Sequence, residues 1–232
     1  MTVASTLQDA IEGLFGERLP IVGCSRTDAG VHAEMFCVHF CTESAIPCRK
    51  IVPALNVRLP RDIAVTSCRE VPADFHARYS CTGKRYDYRI LNARVRDPFW
   101  EERALLCPTP LDAGRMDAAA RAFLGTHDFT GFCSTGGSVV DKVRTVTLAQ
   151  VRRDGDLVTF SVAADGFLYN MVRIMAGTLL EAGAGRLNPQ DVPEILASCD
   201  RTRAGQTAPA HGLYLAEVFY PDSILTGGAQ DG

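Results

Sequence analysis

The chain has 232 residues, 47% hydrophobic and 22% charged, and its 24 Lys and Arg against 27 Asp and Glu give a net charge of −3. This is ordinary globular material, long enough for one large domain or two small ones, and it excludes a low-complexity chain or a global positive field. No apolar run reaches membrane-spanning length, and no basic stretch precedes an apolar one at the start, so neither membrane insertion nor secretion is expected. The nine cysteines are odd in number, scattered and without a Cys-x-x-Cys, which points to reduced thiols in a cytoplasm.

Residues 5–15 read as an amphipathic helix, with Leu7, Ile11, Leu14 and Phe15 on one side and Ser5 or Thr6 as cap. A short apolar strand then leads into a turn around Asp28. Residues 35–41 alternate as a strand, which sets Cys37, His39 and Cys41 on one face. No second ligand cluster completes a tetrahedral metal site, so ordinary strand packing is expected there. Residues 46–55 suit a helix with Pro47 in its first turn. Strands are expected at 62–71 and 81–92. The second carries Tyr86, Tyr88 and Ile90 at period two, hence on one face unless a bulge intervenes. Pro98 and Trp100 close a first half, residues 1–103. In the second half, 104–221, Pro108 and Pro110 precede an alanine-rich helix at 112–123 and a loop at 131–137. Strands at 143–153 and 157–163 flank a turn at Asp154-Gly155. A helix at 167–182 buries Phe167, Met171, Ile174, Met175 and Leu179. A short helix at 189–199 and a last strand at 213–219 follow, and residues 222–232 read as a disordered polar tail. Strands alternating with helices indicate an α/β or α+β fold with sheet cores.

Asp28 is the leading chemical candidate, in the run Gly-Cys-Ser-Arg-Thr-Asp-Ala-Gly-Val-His-Ala from Gly23 to Ala33. A guanidinium nearby keeps a carboxylate charged where burial alone would protonate it, and Arg26 stands two residues away. Gly30 allows a tight turn and close approach of a ligand. A charged, presented carboxylate can act as a nucleophile; an Arg-Thr-Asp triplet alone also suits a structural ion pair in a turn. Between His76 and Arg96, six basic residues (Arg78, Lys84, Arg85, Arg89, Arg94 and Arg96) stand against Asp87, a net of +5 in 21 residues. Such a stripe can neutralise phosphates on a mildly acidic protein, or be a solvated strand face.

Four further blocks join the Asp28 run in order. They are Phe75-His-Ala-Arg-Tyr-Ser-Cys-Thr-Gly-Lys-Arg-Tyr-Asp-Tyr88; Phe123-Leu-Gly-Thr-His-Asp-Phe-Thr-Gly-Phe132; Gly166-Phe-Leu-Tyr-Asn-Met-Val-Arg-Ile-Met-Ala-Gly-Thr-Leu-Leu-Glu-Ala-Gly183; and Ala210-His-Gly-Leu-Tyr-Leu215. In these blocks the chain, from about residue 5 to 221, resembles the TruA family of tRNA pseudouridine synthases, isomerases of anticodon-arm uridines at about positions 38–40 of the tRNA. The resemblance implies a pseudouridine-synthase-like α/β (α+β) fold of two halves, each a mostly antiparallel sheet flanked by helices, around a basic cleft. It further implies a cytoplasmic homodimer that takes tRNA and uses neither cofactor nor metal. On the matching positions it makes Asp28 the nucleophile, oriented by Arg26 and Thr27. Tyr86 would stack on the flipped base, Arg173 would pair with Asp28, and Leu213 would pack beside the uracil. Arg173 needs an acidic partner in any case, because its helix face is otherwise apolar. His76, Arg78, Lys84 and Arg85 are candidates for RNA backbone contacts, and His32 reads as a turn residue.

One departure stands out. Family members usually open with a strand and turn of the type Tyr-Asp-Gly-x-x-Phe-x-Gly-Trp-Gln, whereas this chain starts almost at the first helix. A misplaced start is the expectation, since the other blocks are intact. The competing function is a non-catalytic RNA-binding or RNA-folding protein on the same scaffold. A hydrolase with an aspartate nucleophile would need a water-activating partner or a metal constellation, and the sequence displays neither.

Overall fold

The computed structural model describes residues 2–136 and 139–225. In chain order its first elements are α1 (Val3–Phe15), β1 (Val22–Gly23), β2 (His32–Ala33), β3 (Val38–His39), α2 (Cys48–Asn56) and β4 (Gly83–Leu91). There follow β5 (Leu105–Leu106), α3 (Ala113–Ala120), β6 (Gly125–Asp128), β7 (Val143–Asp154) and β8 (Leu157–Ala164). Last come α4 (Met171–Gly183), α5 (Val192–Ala197), β9 (Leu213–Phe219) and α6 (Asp222–Leu225). None of the described helices is long and apolar enough to cross a membrane.

Contacts divide the chain into two compact units, one of Met1–Ser25, Cys37–Cys81 and the segment from Tyr220, the other of Arg26–Phe36 and Thr82–Phe219. The fold is α/β, with a sheet in each unit flanked by helices. The division differs from the boundary expected at residue 103. β4, on the N-terminal side of that boundary, is paired along its length with β8 and β9 on the other side.

The smaller unit has little regular structure. The pair β1–β3 is two residues long on each side, and its core gathers Ala10, Ile11, Leu19, Ile51, Leu55 and Leu59 between α1 and α2. Thr2 caps α1 by accepting the Ser5 N–H, so the cap lies ahead of the expected Ser5 or Thr6. Pro47 is the N-cap of α2 rather than part of its first turn. The strand expected at 62–71 is absent. Val65 places its N–H on Asn56 Oδ1 and its carbonyl on Asn56 Nδ2, both at 2.8 Å, so one side-chain amide takes the place of a partner strand. The strand expected at 35–41 shrinks to Val38–His39, the part that β1 can pair. Asp222–Leu225 form a helical turn instead of disordered tail; 226–232 lie outside the described residues.

In the larger unit a seven-stranded sheet runs β2-β9-β4-β8-β7-β6, with β5 paired to the end of β4. It is antiparallel except for β2 on β9 and β5 on β4. β8 is covered on both faces from Phe160 to Ala164, as a central strand should be. Gly155, at φ +56°, makes the turn that joins it to β7. The helix expected from 167 begins only at Met171, because Asn170 is left-handed at φ +61° and ends the irregular segment before it. Behind α4 the chain comes back unusually close: a Cβ on Gly177 would lie 1.8 Å from the Gln206 carbonyl oxygen, and one on Gly205 2.4 Å from the Thr178 nitrogen. Those two glycines let residues 205–209 lie directly on the helix backbone.

Candidate active site

The Asp28 turn belongs to the larger unit. Its carbonyl accepts the Val31 N–H at 3.1 Å, Gly30 at φ +82° reverses the chain, and β2 follows at once, parallel to β9. Asp28 Oδ2 accepts a hydrogen bond from Arg173 Nη1 at 2.9 Å, so the guanidinium that holds it comes from α4. The Asp28 side chain remains 38% exposed, against 18% for Arg173. Its second oxygen, Oδ1, accepts nothing among the described residues. Charge-assisted pairing fixes the carboxylate without consuming it.

Arg173 is itself held from three sides. Its Nε donates to the Ala208 carbonyl at 2.7 Å, its Nη1 also donates to Asn170 Oδ1 at 2.9 Å, and its own carbonyl accepts the Ala208 N–H at 3.0 Å. Asn170 Nδ2 in turn donates to Ser134 Oγ at 3.0 Å. Asn170 lies inside the helix expected from residue 167 but stands at the N-cap of α4. An Asn directly before an apolar helical run was the available signal, since Asn tolerates left-handed backbone and favours helix starts.

Tyr86 and Leu213 lie on neighbouring strands. Tyr86 faces Leu215 across the β4–β9 pair and Tyr88 faces Leu213; the register shift falls between Arg85 and Tyr86, so both tyrosines keep the same face. Tyr86 is 7% exposed and meets Phe167 edge to face at 5.0 Å. Tyr88 is wholly buried and donates to the Pro209 carbonyl at 2.8 Å; burial, opposed by the charge of Arg173, raises its phenol well above the ordinary range. It is a core residue. Leu213 is buried, and Arg26 is exposed on the Asp28 turn.

The remaining candidates separate. Arg85 is committed to Asp87 at 3.0 Å and Glu217 at 3.1 Å, and Arg89 to Glu34 and the ring of Tyr214. Lys84, Arg94 and Arg96 have no side-chain partner among the described residues. His76 and Arg78 lie in the smaller unit. His32 is a β2 residue rather than a turn residue, stacked on Tyr214 at 4.6 Å with Nε2 2.7 Å from the Glu102 carbonyl oxygen. His39, expected on a strand face with Cys37 and Cys41, accepts the Ala77 N–H at Nδ1. Among the described residues no three His, Cys, Asp or Glu side chains could hold a metal ion.

Asp28, with one oxygen pinned by the partly buried Arg173, and Tyr86 and Leu213 on adjoining strands are residues that the sequence resemblance singled out. Comparison with known proteins bears on the family. The family described as tRNA pseudouridine synthase matches residues 1–80 and 119–221. tRNA pseudouridine synthase A of Acetivibrio thermocellus is 48% identical over 219 residues, 94% of this chain and 90% of that protein. tRNA pseudouridine synthase A 2 of Clostridium tetani is 45% identical over 219 residues, 94% of this chain and 88% of its own. The Geobacillus kaustophilus tRNA pseudouridine synthase A is 44% identical over 217 residues, covering 94% and 84%. On matches of this extent, the chain belongs to the tRNA pseudouridine synthase family and is an isomerase.

Proposed function

We propose that this protein converts uridines of the tRNA anticodon arm to pseudouridine, with Asp28 as nucleophile. The observation that carries the reading is the half-exposed Asp28 carboxylate, pinned through Oδ2 by Arg173 and open at Oδ1. The reaction breaks the bond from C1′ to N1 of uracil and makes one from C1′ to C5; C5 gives up a proton and N1 gains one, so product and substrate are isomers and no cofactor is needed. Attack on the ring, attack on the sugar and removal of a sugar proton each begin at an open carboxylate oxygen. The target base must leave the stack to reach it, and Tyr86 with Leu213 would receive it there. Arg26 would orient the turn and meet RNA. The nine free cysteines favour a reducing cytoplasm, and the working form in this reading is a homodimer.

The test is Asp28→Asn, which keeps the shape and removes the charge. Pseudouridine formation on unmodified tRNA should fall by more than about a thousandfold, with tRNA affinity within about threefold of the parent. Conversion surviving at near-parental rate would remove Asp28 from the chemistry. A parent chain that binds tRNA and converts none would instead favour the non-catalytic binder.

A further inference from the structure

Tyr79 is 80% exposed, yet its ring is fixed. It stacks on His76 at 4.2 Å between centroids and 28° between planes. The His76 ring is fixed in turn, because its Nδ1 accepts the N–H groups of Arg78 and Tyr79, both at 3.2 Å. That leaves its proton on Nε2. The turn closes on itself: the His76 N–H donates to Ser80 Oγ at 3.0 Å, and the Ser80 N–H to the His76 carbonyl at 2.8 Å. It is tied to its unit at Ala77, whose N–H reaches His39 and whose carbonyl accepts the Tyr220 hydroxyl at 2.6 Å. One face of the Tyr79 ring is therefore backed by imidazole and the other faces solvent. Arg78, the residue before it, is partly buried, and its side chain has no hydrogen-bond or ion-pair partner among the described residues.

A preordered aromatic face one residue along from an unpaired arginine matches one unstacked nucleobase and its phosphate. We propose that Tyr79 is a stacking platform for a base of the bound RNA other than the one modified, with Arg78 on that nucleotide's phosphate and His76 as the ring's support rather than an RNA contact. This rests on the reading of tRNA as substrate. Holding the ring in advance spares the ordering cost of binding, and stacking is indifferent to base identity. The subsite would add affinity across many tRNAs without choosing among them.

The test uses the whole chain and an unmodified tRNA transcript, with affinity measured over a range of salt and single-turnover conversion measured at saturating RNA. Tyr79→Ala should weaken binding about tenfold or more, Tyr79→Phe should restore it, and the saturated conversion rate should match the parent in both. Arg78→Gln should lower the slope of log affinity against log salt by about one. Parental affinity in Tyr79→Ala would overturn the proposal. So would a shift in its oligomeric state at unchanged RNA affinity, which would show a second copy covering the ring. Affinity is read without turnover, so this proposal and the assignment of Asp28 fail separately.

Discussion

The two compact units satisfy their backbones by different means. In the larger, long ladders do it: β4 pairs through eight positions with β8, and β8 through eight with β7. In the smaller, single side chains stand in for strands. Asn56 serves both polar groups of Val65, His39 takes the Ala77 N–H, Tyr220 caps the Ala77 carbonyl, and His76 receives two successive N–H groups. A ladder shares its load among neighbours, so one altered side chain changes little. A side-chain substitute fails when that residue changes, or when it takes up a proton. The Asp28–Arg173 pair sits in the ladder-built unit although Asp28 lies early in the chain, and a site of the proposed kind would gain from such a frame.

The contrast breaks first where the larger unit depends on having no side chain. Gly177→Ala places a Cβ 1.8 Å from the Gln206 oxygen, so α4 and the 205–209 segment must separate. Denaturant unfolding should show a loss of about 3 kcal/mol, and conversion should slow because Ala208 positions Arg173. Unchanged stability would mean that the close approach is not held in solution. Next comes Asn56→Ala in the smaller unit, which leaves the Val65 groups to water at about 1 kcal/mol. Hydrogen exchange should quicken at Val65 and stay unaltered along β8; spread of the effect into β8 would erase the distinction between units.

The smallest effect is on pH. Burial first, then the nearby His76, lowers the His39 pKa below its usual 6.5. A depressed histidine gives stability that is complete above the unfolded value and is lost as pH falls through the folded one. The smaller unit should therefore weaken on acidification below about pH 6.5, and protonation of Nδ1 would also end the Ala77 contact. In His39→Asn, whose Oδ1 can accept the same N–H, the unfolding midpoint should lose part of this dependence. An unchanged pH profile would assign the acid sensitivity to other groups.

Long regular elements were legible because their periods are long: α1, α3, β7, β8 and β9 lie close to where alternation and helical spacing put them. The expected strand at 62–71 has alternating Ile63 and Val65, but that pattern cannot tell a partner strand from a single asparagine side chain. β2, β5 and β6 run two to four residues, too few for any period. In the site, the Asp28 turn and Arg173 were visible as residue types in ordered blocks. The support that Ala208 gives Arg173 was not, since its carbonyl acts as backbone, which leaves no trace in side-chain identity.

β9 lies between β2 and β4, and its position in the sheet is the reverse of its position in time. On a ribosome adding about 5–20 residues per second, Asp28 emerges early and waits. Until residues 213–219 follow, β2 has no strand to align it, β4 has a bare flank, and Tyr86 lacks its leucine neighbour. In the proposed reading a nascent chain therefore carries Asp28, Tyr86 and Arg173 before β9 aligns β2 and flanks β4, and a chain cut short of residue 213 should convert no uridine.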